Sequence, residues 1–469
     1  MSEQNDTYVV GDEQDLYVKR KKVFSKKVSG RFNNLRVLSV WLLLGLYYGL
    51  PWISWNGQQA VLFDLPARKF HLFGLTFFPQ DFIFLTLLLI IAAMALFFFT
   101  TIAGRLWCGY ACPQTVWTEV FIWMERLVEG DRNKQLKLEK QPWNFEKLRK
   151  RLAKHALWII FALFTGYTFV GYFTPITELT DKILTLSTGP WETFWVLFYS
   201  FATWGNAGML REQVCIYMCP YARFQSSMFD KDTLIIAYDE QRGEQRGPRK
   251  KDMPKEEYEA KGLGDCIDCM QCVHVCPTGI DIRDGLQYEC IACAACIDAC
   301  DEVMDKMGYE PGLIRYTTEN RDNGKEVKLL RGKTIGYGSI LILISLIFVL
   351  SVWLRTPLEL DIIKDRNRLY LTTAEGFIEN IYNLRIVNKD QKAHTYAIDI
   401  TGHSELVYQG PETVTVAAGA VITVPVRVSI DPFNLTGTTE KLTVRLQSVD
   451  DESIAINQGT NFIGPVRRR

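Results

Sequence analysis

Eight of the twelve cysteines fall in one pattern used twice. Cys266, Cys269, Cys272 and Cys276 recur, each 24 residues further on, as Cys290, Cys293, Cys296 and Cys300, giving two C-x2-C-x2-C-x3-C runs. Thiolates at this spacing suit an iron–sulfur cube: the three closely spaced sulfurs wrap one cube and the fourth reaches the other. The pattern predicts one [4Fe–4S] cluster on Cys266, Cys269, Cys272 and Cys300, and a second on Cys290, Cys293, Cys296 and Cys276. Structural zinc and ordinary buried cysteines are the blander alternatives. Zinc sites, however, use separated C-x2-C pairs, and packing alone demands no repeat. Ile267, Met270, Val273, Ile291, Ala292, Ala294, Ala295 and Ile297, small or apolar, suit backbone amides packed closely around sulfide. His274, inside the first run, reads as a surface side chain rather than a ligand. Pro277 follows the first run as in bacterial ferredoxins, whereas Asp301 follows the second.

The other four cysteines form a second repeat. Cys108-Gly-Tyr-Ala-Cys112-Pro113 and Cys215-Ile-Tyr-Met-Cys219-Pro220 share C-x-Y-x-C-P and lie 107 residues apart. On a helix, positions i and i+4 share a face, so each pair can present two sulfurs together. The prolines should bend or end the chain near each site. Four soft sulfurs can hold copper(I), zinc or a further cluster, or cycle as dithiols. Met209 and Met218 add thioether near the second pair. Helix-end packing is the bland alternative, but it explains no repeat. The expectation is that electrons meet a copper substrate at these four thiols.

Long apolar segments must position both repeats. Five stretches are long enough to cross a bilayer as helices: Leu35 to Trp55, Phe82 to Gly104, His155 to Ile176, Trp191 to Leu210 and Thr334 to Leu354. Formal net charge is zero, so bulk charge points to no nucleic acid or other polyanion. The basic residues nevertheless cluster. Lys19, Arg20, Lys21, Lys22, Lys26, Lys27, Arg31 and Arg36 precede the first span, and ten more fall between Arg126 and Lys154. The alternate connections hold only Arg68 and Lys69, and Lys182. Positive flanks stay on the cytoplasmic side, which predicts a cytoplasmic N-terminus and cysteine segment and an outer tail. All cysteines lie between Cys108 and Cys300, as expected if the middle faces a reducing compartment. The polar, basic start predicts no cleaved signal peptide.

The domains expected are a cytoplasmic arm (1–34), a four-span membrane domain (35–238), a 2[4Fe–4S] ferredoxin domain (239–333), a fifth transmembrane helix (334–354) and an outer β domain (355–469). From about Asn367 the tail shows short alternating strands at Leu369 to Thr373, Ile381 to Val387, Thr395 to Ile400, Thr413 to Val416, Val421 to Ser429 and Lys441 to Gln447, the pattern of an immunoglobulin-like β-sandwich. The fold class is thus a multidomain membrane protein. With five histidines, no span offers a bis-histidine haem clamp, and no C-x-x-C-H or nucleotide-binding glycine motif occurs. Glu192, near the start of the fourth span, reads as an interface marker rather than part of a proton path.

Paired C-x-Y-x-C-P motifs, a double-cluster segment, a fifth span and a thiol-free β tail together resemble the CcoG family, also called FixG or RdxA. The resemblance covers nearly the whole chain. It implies a bacterial inner-membrane cupric reductase that converts Cu(II) to Cu(I) for assembly of a haem–copper oxidase. In that reading the eight ferredoxin cysteines carry electrons, and Cys108, Cys112, Cys215 and Cys219 match the family's membrane-proximal pairs. Implied partners are copper ions, an oxidase subunit or assembly factor, an unidentified electron donor and membrane lipid; a homo-oligomer is compatible with it. Two other functions compete: a quinol-linked membrane ferredoxin of the NapH or NosR kind, and a copper-holding scaffold that does no redox chemistry.

Overall fold

Backbone in hydrocarbon must satisfy its own hydrogen bonds, so long uncharged runs become helices. In the computed structural model, which describes residues 22–251, 253–365 and 368–465, four helices are long and apolar enough to cross a membrane: Arg31–Trp52, Pro79–Ala103, Phe145–Val170 and Gly332–Trp353. Ile83, Leu85, Leu88, Leu89, Ile342, Leu343, Leu346 and Val349 stand exposed on them, an arrangement that water penalises and lipid does not. The chain is a membrane protein.

Against the five spans expected, the difference lies in the fourth. Residues 191–210 do not make one regular helix. An α-helix covers Pro190–Thr203, and π-helical turns follow at Trp204–Leu210 and Val214–Met218. Gly205 and Gly208 weaken the α-helix there. Gly208 also packs closely: a Cβ on it would stand 3.1 Å from Trp158 and 3.2 Å from Phe121. The third helix starts ahead of the expected His155, its first turns held by the Lys150–Glu146 pair at 2.6 Å. Lys19, Arg20 and Lys21 of the basic arm, and Asn367 at the expected start of the strands, lie outside the described residues.

The chain forms two compact units. One comprises Met1–Trp41, Phe99–Ile160 and Trp204–Leu329 and contains every cysteine. Within it the helices Gln271–Val275 and Ala295–Met307 accompany a two-stranded antiparallel sheet, Ile235–Tyr238 with Ile314–Thr317. Ile236, Ile282, Ala294, Ile297, Met304, Leu313 and Ile314 form its core with Cys266 and Cys272. This sheet starts before residue 239, so the boundary expected there would cut it.

The other unit comprises Leu42–Phe98, Phe161–Thr203 and Leu330–Arg469. Its tail is an immunoglobulin-like sandwich of antiparallel sheets. One sheet runs Leu406–Gln409, Val421–Ile430, Ile378–Asn388, Leu358–Lys364, with Leu371–Thr372 also on Ile378–Asn388; the other runs Thr413–Val416, His394–Thr401, Thr439–Ser448, Ala455–Ile463. Alternation drives it: Val424, Val426 and Val428 are buried while Thr423, Pro425 and Arg427 are exposed, and Leu442, Val444 and Leu446 repeat the pattern. Three of these strands, Leu358–Lys364, Leu406–Gln409 and Ala455–Ile463, escape the sequence pattern, as does a three-stranded sheet within 61–77. In the opening turn of the second helix, buried Asp81 accepts from Arg355 at 2.6 Å and from Lys389 at 2.8 Å.

Candidate iron–sulfur and paired-cysteine site

The two cysteine runs fold as copies of one another. Asp268 (φ 52°) and Met270 (φ 58°) occupy the left-handed region in the first, and Ala292 (φ 51°) and Ala294 (φ 60°), 24 positions on, do so in the second. Non-glycine residues enter that region only under constraint. Left-handed residues at such turns gather backbone N–H groups into a concavity of the kind that binds anions and iron–sulfur sites. Each loop then enters a helix at Gln271 or Ala295.

The fourth cysteine of each run lies with the other run's first three. Cys300 lies within electrostatic reach of Cys272, Asp301, Cys266 and Cys269, and Cys276 within reach of Cys290, Cys293 and Cys296. Cys276, Cys290, Cys293 and Cys296 line one hollow of about 20 Å³ with Ile236, Ile282, Ile291 and Cys272 of the other set. Burial pushes the Cys272 and Cys290 thiols up to about 12 and raises Cys293, Cys296 and Cys300. Bare thiols there stay protonated, and bound iron would reverse that. A sulfur-lined hollow, with the Ala292 amide donating to Cys290 Sγ at 3.4 Å, thus fits a cluster. Among the described residues no three His, Cys, Asp or Glu side chains converge on a single metal ion; a cube instead takes its thiolates at separate corners.

The paired cysteines do not share helix faces as expected. Cys108 lies in the short helix Leu106–Tyr110, while Cys112 (ψ 128°) has left it and caps the helix starting at Pro113. Cys215 lies in the π turn, and Cys219 (ψ 110°) caps the helix starting at Pro220. Each proline therefore opens a helix, where its missing N–H costs nothing. The pairs do come together. Cys108 feels Cys112 and Cys215, and Cys219 acts on both Cys112 and Cys215. Burial holds Cys108 and Cys215 up at about 12.

The first pair sits directly on the ferredoxin fold. A Cβ on Gly109 would lie 2.8 Å from the Ile291 carbonyl oxygen, 3.0 Å from that of Ala292 and 3.0 Å from Cys293 Cα. Only glycine permits this approach. Cys108 packs on the apolar cluster of Val28, Ile291, Cys293 and Ala295. The Tyr110 hydroxyl lies 3.5 Å from that of Tyr316, which donates to the Ala292 carbonyl at 2.7 Å. The second motif differs: Tyr217 is 63% and Met218 60% exposed, and Met209 is 57% exposed, so its soft sulfur faces outward.

Sequence patterns missed the polar residues that hold these parts. Fully buried Gln225 accepts from the Cys108 thiol at 3.5 Å and donates to Gly104 O and the Tyr221 hydroxyl. Buried Arg105 donates to the carbonyls of Tyr288, Cys290 and Ala222, tying the first motif to the second and to the Cys290 loop. Arg36 pairs with Glu119 at 3.5 Å, and its charge acts on Cys293. Arg211, in the left-handed region (φ 48°) just before the second motif, reaches Glu125 at 2.6 Å, and Lys22 and Lys154 meet the same carboxylate at 2.6 and 3.2 Å. Burial pushes Glu125 up, but the three cations outweigh it and hold its carboxyl down at about 2. Such residues carry no motif; their signal exists only in three dimensions.

Comparison with known proteins agrees with this geometry. Residues 210–319 match a family described as a 4Fe-4S dicluster domain, residues 85–131 a 4Fe-4S binding domain, and residues 348–465 an IG-like fold at the C-terminus of FixG. Protein RdxB of Cereibacter sphaeroides is 42% identical over 405 residues, covering 83% of this chain and 84% of its own. Nitrogen fixation protein FixG of Rhizobium meliloti is 38% identical over 424 residues, 82% and 80% of the two chains. The ferredoxin-type protein NapH of Escherichia coli is 20% identical over 292 residues, 58% of this chain and 88% of NapH.

Proposed function

The chain belongs to the FixG and RdxA family, and from that premise we propose that it reduces Cu(II) to Cu(I) at the inner membrane for assembly of a haem–copper oxidase. Cys266, Cys269, Cys272 and Cys300 would hold one [4Fe–4S] cluster, and Cys276, Cys290, Cys293 and Cys296 the other. Such clusters take up and release single electrons at low potential. Cys108, Cys112, Cys215 and Cys219, with exposed Met218 and Met209, offer the soft sulfur that favours Cu(I) over Cu(II). Metal binding there releases the protons that burial keeps on Cys108 and Cys215. One electron enters from a donor on the cytoplasmic side and one Cu(II) leaves as Cu(I). The observation that carries the reading is the seat of Gly109 and Cys108 against Ile291–Cys293, which would set a copper-binding Cys108 beside the second cluster's ligand loop.

Replacing Cys108 or Cys215 by serine should abolish Cu(II) reduction by dithionite-reduced protein, scored with a Cu(I)-selective chelator, while the cluster spectra stay intact. Undiminished copper reduction in both variants removes the proposal. A second reading has one observation in its favour: the match to a 4Fe-4S binding domain spans Cys108 and Cys112, as it would if the four paired thiols held a further cluster. About eight irons per chain favour the first reading and about twelve the second.

A further inference from the structure

The two predicted cluster sites differ sharply in the fixed charge around them. Beside Cys272 stands buried Arg283, but two carboxylates, Asp268 and Asp281, each pair with it at 2.6 Å. Asp301 adds a further acid next to Cys300. Around the other set the balance is reversed. Arg105, 6% exposed, donates to the carbonyls of Cys290 (3.3 Å) and Ala222 (2.6 Å) and to that of Tyr288, and among the described residues it has no ion-pair partner. Its charge acts on Cys290 and also on Cys108 and Cys215. The charge of Arg36 acts on Cys293 and is opposed by one carboxylate, Glu119, at 3.5 Å.

We propose that Arg105, assisted by Arg36, raises the reduction potential of the cluster on Cys276, Cys290, Cys293 and Cys296 above that of its neighbour, so that an electron shared between the two settles beside the paired cysteines. The proposal rests on the reading that both sets hold [4Fe–4S] clusters. Reduction adds one electron and hence one negative charge. A cation fixed nearby in a low-dielectric interior favours the more negative state, and net charge and hydrogen bonds are among the levers that set cluster potentials. Arg105 is the stronger lever because carbonyls, not carboxylates, accept its hydrogen bonds, leaving its charge unneutralised.

Redox titration of the full-length, detergent-solubilised protein with dithionite, followed by electron paramagnetic resonance, tests this. Wild type should show two midpoints. In R105Q the higher one should fall while the lower stays put, the reduced-to-oxidised ratio at fixed potential dropping about tenfold, which is 59 mV for a one-electron couple. R105K keeps the charge but not the three-carbonyl fork, and should hold the wild-type midpoint. A purely structural bolt predicts instead that R105K fails like R105Q, and that outcome overturns the proposal, as does movement of both midpoints, of the lower one alone, or of neither. Should R105Q not assemble, E119Q, which frees Arg36 of its counter-charge, is expected to raise the higher midpoint alone; no change or a fall overturns the idea. Iron analysis separates the layers: fewer than about eight irons in wild type sinks the two-cluster reading and this proposal together, whereas eight irons with unmoved midpoints sinks only the latter.

Discussion

Sulfur is cheap to place in a sequence, but bringing two sulfur sites into contact requires a residue with no side chain at all. Gly109 fills that role: a Cβ there would meet three backbone atoms of the Ile291–Cys293 loop that cannot swing aside. Gly109→Ala must push the motif off the loop. Overpacking of this sort costs about 1–3 kcal/mol, and the separation it opens falls between the second cluster loop and Cys108. The expected result is a protein with full iron content and normal cluster spectra whose reoxidation by Cu(II), followed by stopped-flow absorbance, slows at least roughly tenfold, equivalent to 1.4 kcal/mol of barrier. Wild-type reoxidation kinetics in that variant would show that the contact does not matter. The cysteine repeat was legible in the sequence because it obeys a spacing rule, and its 24-residue offset returns as matched left-handed residues. Gly109 was not legible as a contact, since a glycine between two cysteines reads equally well as a turn. Arg105 was still less so, with its carbonyl partners as many as 185 positions away.

Among the elements, the π turns before the second motif are the least regular part of the membrane domain, and π segments inside helices often mark functional sites. Here they carry Arg211 into the buried cluster around Glu125, so the second cysteine pair is positioned by charge rather than by a continuous helix. Removing one partner of a buried ion cluster leaves the rest uncompensated, at a cost of about 3–5 kcal/mol. Glu125→Gln should therefore lower the melting temperature markedly. The pH dependence follows from the carboxyl held down at about 2 against an ordinary 4.5. Its folded pKa lies below the unfolded one, so its contribution, roughly 3 kcal/mol, is fully present above pH 4.5 and disappears as pH falls from 4.5 toward 2. Wild type's advantage over the variant, measured by melting, should accordingly stay constant from pH 7 to 5 and shrink below that. A gap as wide at pH 3 as at pH 7 would deny Glu125 this role. At this scale the sequence was legible wherever alternation or apolar length was strong. The inner strands Val421–Ile430 and Thr439–Ser448 alternate cleanly, and four spans stand out by hydropathy. It was illegible at the sandwich edges, where Ala455–Ile463 is mostly exposed and polar, and at the fourth span, where an apolar run conceals a change of helical pitch.

For the whole molecule, zero net charge hides a segregation with two competing uses. Part of the basic stretch between the second and third spans is consumed by structure: Lys154 is buried against Glu125 and Glu129, and Arg151 reaches Glu129 at 3.3 Å. Lys134, Lys137 and Lys140, together with Lys26 and Lys27 of the arm, stay exposed and are available to the signal that retains positive flanks in the cytoplasm. If that signal governs, an odd number of crossings separates the arm from the tail, and the short helix Pro190–Thr203 with its π extension must count as one of them despite its length. Alkaline phosphatase, which needs an oxidising compartment to form its disulfides, discriminates directly. Fused after Pro465 it should be active, and inserted near Gly324, beyond the last ferredoxin cysteine, it should be inactive. The reverse pattern, active near Gly324 and inactive after Pro465, would mean that residues 190–210 do not cross the membrane, whereas activity at both positions or at neither would mean that Gly332–Trp353 does not.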